Sequence, residues 1–302
     1  MRHVLTLITD PAGPGLDDTM VSAAGSALEA AGAGPGAADW LASGIACDIP
    51  FAAGDLDGLG TTVRAALDGV PVDVVTQLAE GRRKSVLAAD LEATIIENEM
   101  LVELASAANV QEEITRITAQ AMAGDLDFAD AFRARVALLR GLRADLLEEI
   151  CAHIVFTPGA AELIGTMRAM GGYTALISGG FRIFTRHVRD ALGFDEDIAN
   201  EPEIIDGRLT GRVHEPIVDR DGKLAAVVRI AAARGLPLDR VISVGDGAND
   251  VRMLEDAGCG VAYHAKPAVA QITPVRINHG DLTALLYIQG YRKDSFVTAE
   301  PA

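Results

Sequence analysis

The chain has 302 residues, enough for one large domain or two modest ones with an ample core. Its 43 acidic and 26 basic residues leave a formal charge of −17, and no stretch concentrates Lys or Arg as a nucleic-acid or membrane-surface footprint would. Cys47, Cys151 and Cys259 lie too far apart for a disulfide framework or a CxxC metal pattern, and read as buried thiols of a reducing compartment.

The opening "MRHVLTLITDPAGPG" holds one short apolar run, broken by Asp10 and Pro11 and too short for a secretion signal. No apolar stretch approaches the ~20 residues that span a bilayer. The expectation is a cytoplasmic protein without a membrane partner.

In chain order, "HVLTLIT" predicts a strand, "DTMVSAAGSALEAAG" a helix, and "ADWLASGIACDIPFAA" two strands around Ser43 and Gly44. "DLDGLGTTVRAALDG" predicts a second helix and "PVDVVTQL" a last strand. This β-α-β-β-α-β order describes a small open sheet with helices on one face, over residues 1–80. "AEGRRK", residues 79–84, reads as a charged linker and a domain boundary.

From Val86 the pattern becomes short apolar strands alternating with helices, the mark of an α/β fold with a parallel sheet covered on both faces. The strands are "SVLAAD", "YTALIS", "RVISVGD" and "CGVAYH", with shorter ones at "DIAN" and "RINH". Residues 97–155 between the first two carry apolar spacing of three and four throughout, as four helices. One crossover needs fewer, so an inserted helical cap over the sheet's carboxyl edge is expected. Residues 84–290 then form the larger domain, and 291–302 a tail.

Ligands of open α/β sheets bind outside the carboxyl ends of the strands. Here those ends carry Asp90, then Ser178-Gly179-Gly180, then Asp246 followed by "GAND". Asp90 and Glu92 would point the same way on a continued strand, with Cα atoms roughly 6.6 Å apart. Two carboxylates that close readily differ in pKa. Asp246 beside Asp90 suits a hard divalent cation, with Asp250 reaching it through water, and "ISGGF" offers a cradle for phosphate oxygens. Lys223 at a helix start opposes the dipole and hints at a ligand role. Each stretch alone also fits a plainer reading: a polar loop at 90–94, helix capping at Asn249 or Asp250, a turn at 178–180, and a solvent-facing Lys223. No G-x-G-x-x-G follows a strand, which disfavours dinucleotide binding.

Taken in order, "DLEAT", "SGG", Lys223 and "GDGAND" resemble the motifs of the haloacid dehalogenase superfamily of phosphotransferases. Within it, "ENEMLVELA", "ITAQAMAGDLDFADAFRARVALLRGL" and "TPGA" make residues 84–289 similar to the phosphoserine phosphatases. Residues 1–80 are loosely similar, by element order alone, to ACT-type regulatory domains.

The resemblance implies a Rossmann-like phosphatase fold with a helical cap, and Mg²⁺-dependent hydrolysis of O-phospho-L-serine through an aspartyl-phosphate, the last step of serine biosynthesis. Asp90 would be the nucleophile, and Glu92 the acid and then the base. Mg²⁺ would bind Asp90, the backbone carbonyl of Glu92, Asp246 and, through water, Asp250. Ser178, Gly179, Gly180 and Lys223 would hold the phosphoryl oxygens, with Thr94 and Asn249 beside them. Glu99 and Arg135 would read the amino acid's ammonium and carboxylate, while Met122 and Phe128 close the cap. Arg133, on another face of the helix, is the natural control. A small-molecule substrate is the partner implied, and residues 1–80 are left for regulation or homodimer formation.

One departure stands out: Glu92 occupies a position where the family usually has an aspartate followed by Ser or Gly. Three outcomes stay open, namely an acid/base with a repositioned side chain, a phosphotransferase acting on homoserine, or a phosphoserine-binding protein. Lys223, Asp246 and Asp250 beside Asp90 argue against the last.

Overall fold

The computed structural model describes residues 1–123 and 127–299, with the backbone alone for 121–123. It begins with β1 (His3–Ile8), α1 (Asp18–Ala30), β2 (Asp39–Ala42), β3 (Ala46–Phe51), α2 (Leu56–Ala66) and β4 (Asp73–Leu78), in the predicted order. The four strands pair antiparallel as β2-β3-β1-β4. Both helices start on an aspartate that accepts from the first turn, Asp17 from Met20 and Asp55 from Gly58. Side chains alternate across the sheet. Leu5, Leu7, Cys47, Ile49 and Val74 pack with Val21, Leu28 and Val63 of the helices, while Ile8, Ala46 and Val75 join the core of the second sheet.

The chain continues with β5 (Val86–Ala89), α3 (Met100–Ala107), α4 (Gln111–Ala123), α5 (Phe128–Leu138), α6 (Asp145–Cys151), α7 (Ala160–Ala169), β6 (Tyr173–Phe181), α8 (Arg182–Leu192) and β7 (Glu196–Asn200). Then come β8 (Pro202–Ile205), β9 (Arg208–Val213), α9 (Arg220–Ala233), β10 (Val241–Gly245), α10 (Val251–Asp256), β11 (Cys259–Tyr263), α11 (Pro267–Ala270), β12 (Val275–Ile277) and α12 (Ala284–Ile288). Six strands form an all-parallel sheet in the order β12-β11-β10-β5-β6-β7. Every residue of β5 is buried, Leu87 and Ala89 in the core on one face, Val86 and Ala88 in the core on the other. The strand order reverses at β5, between β10 and β6, and that switch point is where a site is expected.

The excursion between β5 and β6 is helical, α3 to α6, as the spacing predicts. The predicted elements do not include the antiparallel hairpin β8–β9. Its local signal is the Asp206-Gly207 pair, both at positive φ, which is the chemistry of a tight hairpin turn. The hairpin leans on the cap: Gly141 donates to the Leu209 carbonyl at 2.8 Å and Leu209 to that of Leu142 at 2.9 Å. The cap is therefore built from two insertions.

The two sheets are also tied by polar interactions. The Asp73 carboxylate accepts backbone N–H groups of Asn278, His279 and Gly280 at 2.8, 3.1 and 2.8 Å. The charged segment 79–84 is held on both sides, Arg82 by Asp48 at 2.7 Å and the Lys84 ammonium by the Asp239 carbonyl at 2.9 Å. All three cysteines are buried and free, and no described helix is long and apolar enough to cross a membrane.

Candidate active site

β5 delivers Asp90 to the carboxyl edge, where its N–H bonds to the Val244 carbonyl of β10 at 3.0 Å. Its carboxylate is buried. Lys223 Nζ donates to Asp90 Oδ1 and to Asp250 Oδ1, both at 2.6 Å. This corrects the plain expectation of an exposed lysine: Lys223 is fully buried in the first turn of α9, below its cap Asp219. Burial alone would push the ammonium down, but the charges of Asp250 and Asp90 carry it well above its ordinary value. The bridge is cationic.

Asp250 occupies the cap position of α10, but its side chain makes no capping bond to that helix. Its second oxygen instead accepts the Gly247 N–H at 3.0 Å. Carboxylate oxygens of Asp90, Asp246 and Asp250 all lie within 4.8 Å of one another. Burial and the Asp250 charge push Asp90 above the usual carboxylate range, against the pull of Lys223. Asp246 is pushed up to about 6 by burial and Asp250, with Lys266 opposing from 3.7 Å. Three carboxylates share one buried ammonium, so the cluster is short of positive charge and suits a cation with oxygen preference.

The Glu92 carboxylate bridges the start of the cap and the end of β6. Its Oε1 accepts the Met100 N–H at 2.9 Å, satisfying the first turn of α3, whose own cap residue Glu99 makes no such bond. A Cβ on Gly180 would meet Glu92 Oε2 at 3.5 Å and Ser178 Oγ at 3.2 Å, so the carboxylate faces the end of β6. Burial and the neighbouring Glu99 push Glu92 up to about 7, while the Met100 N–H, Lys223 and Arg135 draw it down. The next residue, Ala93, holds φ at 50°, a left-handed conformation that L side chains rarely adopt. It lies where the resembled family places Ser or Gly. Thr94 is fully buried and its hydroxyl has no hydrogen-bond partner among the described residues.

The Ser178-Gly179-Gly180 segment lies inside β6, which runs on to Phe181, rather than in a turn before α8. The Ser178 hydroxyl accepts the Gly180 N–H at 2.9 Å. Phe128, at the start of α5, reaches this segment from the cap, and a Cβ on Gly179 would sit 2.9 Å from its ring. The ring stacks on Phe132, which meets Phe181 edge-on.

Arg135 projects from the same helix, half-buried, with Nε donating to the Ala131 carbonyl at 3.3 Å. Its charge is felt by Glu92, and those of Glu92 and Glu99 are felt by it. Arg133 is instead exposed and paired with Asp130 and Glu215, both at 2.9 Å. Glu99 is exposed at the head of α3, and Asn249 is half-buried with its side-chain oxygen close against Gly247. The Met122 side chain lies outside the described residues.

Two residues near the site escape sequence reasoning. Lys266 stands beside Asp246, with no local pattern to mark it. Asn200 ends β7 and bonds the Gly179 carbonyl at 2.8 Å. It does carry a signal, because it is another polar residue at the carboxyl end of a parallel strand.

Comparison with known proteins bears on this arrangement. The sequence profile of the haloacid dehalogenase-like hydrolases matches residues 87–255. Phosphoserine phosphatase of Streptomyces coelicolor is 41% identical over 236 residues, covering 78% of this chain and 58% of that protein. The chain spans only 58 to 65% of the length of the first three curated relatives it matches. A haloacid dehalogenase family hydrolase from Salmonella enterica serovar Typhi superposes with a TM-score of 0.84 at 27% identity, covering 95% of this chain and 97% of that one. A phosphoserine phosphatase solved as a phospho-aspartyl intermediate analogue gives 0.64 at 35% identity, covering 68% and 98%. With the matched segment running from β5 through the Asp246 and Asp250 carboxylates, the chain belongs to the haloacid dehalogenase-like hydrolase family.

Proposed function

We propose that the chain is a Mg²⁺-dependent phosphoserine phosphatase, hydrolysing O-phospho-L-serine to L-serine and phosphate. The observation that carries this reading is the pairing at the end of β5. Asp90 is fixed by a buried lysine, and two residues on, Glu92 faces the Ser178–Gly180 segment without an ion-pair partner among the described residues.

Lys223 holds Asp90 Oδ1, which leaves Oδ2 to attack phosphorus. As that O–P bond forms, the bond from phosphorus to the seryl Oγ breaks, and Glu92 gives Oγ its proton. Glu92 then takes a proton from water, whose oxygen displaces the Asp90 carboxylate from phosphorus and releases phosphate. A carboxyl raised to about 7 serves both halves near neutral pH. Asp90, Asp246 and the backbone carbonyl of Glu92 would hold Mg²⁺, with Asp250 supporting it through water, and the charge-poor carboxylate cluster fits it. Bound there, the ion supplies positive charge against the phosphoryl oxygens.

Recognition of serine rests on Arg135 and Glu99 at the cap. A guanidinium fork matches a carboxylate, and an acid matches the ammonium. The relatives' activity supports the same substrate, including one solved as a phospho-aspartyl analogue.

The test is incubation with phosphoserine and Mg²⁺, with and without homoserine, following free phosphate and phosphohomoserine. Phosphate release without phosphohomoserine is expected, and Asp90→Asn should abolish it. Phosphohomoserine as main product would make the chain a phosphotransferase. Turnover of neither kind sinks both enzyme readings.

A further inference from the structure

Asn200 is 1% exposed, and all its side-chain bonds go to backbone. Its Nδ2 donates to the Gly179 carbonyl at 2.8 Å and to the Val218 carbonyl at 3.4 Å, while Oδ1 accepts the Val218 N–H at 2.7 Å. These groups belong to two segments that flank the phosphoryl side of the site. Gly179 lies in the polar end of β6, where β6 and β7 shift register between Ile177 and Phe181. The ladder is interrupted there, and the amide side chain supplies the bond that the ladder omits. Val218 precedes Asp219, whose carboxylate caps α9 at Gly222 and whose carbonyl accepts the Lys223 N–H at 2.9 Å. From Asn200 the path to the helix turn that carries the buried ammonium is thus short.

We propose that Asn200 is a positioning residue that sets the Ser178–Gly179 edge against the Lys223 helix, and so fixes the spacing of the groups that hold the phosphoryl oxygens. This rests on the phosphatase reading above. A buried amide with both ends used holds a distance that neither segment holds alone, and ~1 Å of misplacement at a reacting centre is costly. Among the described residues Asn200 bonds no cap residue, so its direct effect falls on the phosphoryl half of the site.

Asn200→Asp keeps the size and the acceptor for Val218 but turns the Gly179 donor into a repelling oxygen. Asn200→Ser keeps a short polar group without the reach. Thermal unfolding is measured first, and the variant that retains the cooperative transition carries the test. Binding of inorganic phosphate and of L-serine is then followed by calorimetry with Mg²⁺, alongside kcat and KM for phosphoserine. Phosphate affinity should fall about tenfold and kcat with it, while serine affinity stays within twofold. Equal losses for both ligands, or none for either, would overturn the positioning role. Absence of phosphoserine turnover in the parent protein would count against the phosphatase reading alone, because the two binding measurements stand without it.

Discussion

Lys223 Nζ lies 2.6 Å from Asp90 Oδ1, although 133 residues separate the two in sequence and neither side chain meets appreciable solvent. The same ammonium bonds Asp250, so its removal leaves two buried carboxylates facing each other. Breaking a buried pair from one side typically costs about 3–5 kcal/mol. Lys223→Met, which keeps the stem, should therefore lower metal-free stability by about that much at neutral pH and abolish phosphoserine turnover. Urea unfolding at pH 5 and pH 7 checks it. The deficit should narrow at the lower pH, where the unpaired carboxylates take up protons.

Glu92 gives a pH dependence with a defined sign. Its carboxyl is raised from 4.5 to about 7 in the folded chain. A group raised on folding binds its proton more tightly in the native state, so its stabilising contribution is full below 4.5 and is lost as pH rises through about 7. In metal-free protein, stability relative to Glu92→Gln should fall steadily across that window and level off above it. A difference flat from pH 4 to 8 would place the Glu92 pKa near its ordinary value.

The parallel strands are legible because each is a short apolar run ending in a polar residue, and those ends assemble Asp90, Ser178 and Asp246 at one edge. Burial of Lys223 is not legible. In a helix beginning "RDGKLAAVV" a lysine in the first turn looks solvent-facing, and only the distant Asp90 and Asp250 offset the cost of its burial. Glu92 shows the same limit from the other side. The extra methylene is visible in the sequence, but the helix N-terminus that receives its oxygen at Met100 comes from the way the chain enters the cap. The hairpin β8–β9 is obscured despite Asp206-Gly207, since β8 has exposed Ile204 and Ile205 instead of clean alternation.

Gly179 and Phe128 offer a test of cap closure. A methyl at position 179 would stand 2.9 Å from the Phe128 ring and 3.5 Å from the Val218 carbonyl, so the ring must give way. Gly179→Ala should leave the fold intact, because Gly179 is not among the positive-φ glycines, and should raise KM for phosphoserine about tenfold by holding α5 off the sheet. Shortening the ring in Gly179→Ala/Phe128→Leu should recover most of that loss. Such recovery is a coupling between touching residues, measured as the departure of the double variant from the sum of the singles.

Arg135 and Arg133 differ by two positions on α5 and should differ sharply in effect. Arg133 is engaged by Asp130 and Glu215 at the surface, and exposed pairs of this kind contribute little. Arg135 is half-buried toward Glu92 and Glu99, and among the described residues its guanidinium has only the Ala131 carbonyl at 3.3 Å and the Phe132 ring at 6.0 Å as close partners. Its donors remain largely free for a carboxylate. Removing a charge-assisted, bidentate hydrogen-bonding group from a desolvated site costs about 1.5–3 kcal/mol, or roughly 10- to 150-fold. Arg135→Ala should therefore cut kcat/KM for phosphoserine about 100-fold while changing that for phosphoethanolamine, which lacks the carboxylate, less than threefold. Arg133→Ala should move neither substrate beyond twofold. Parallel losses on both substrates in Arg135→Ala would mean that the arginine supports the cap and does not read the carboxylate.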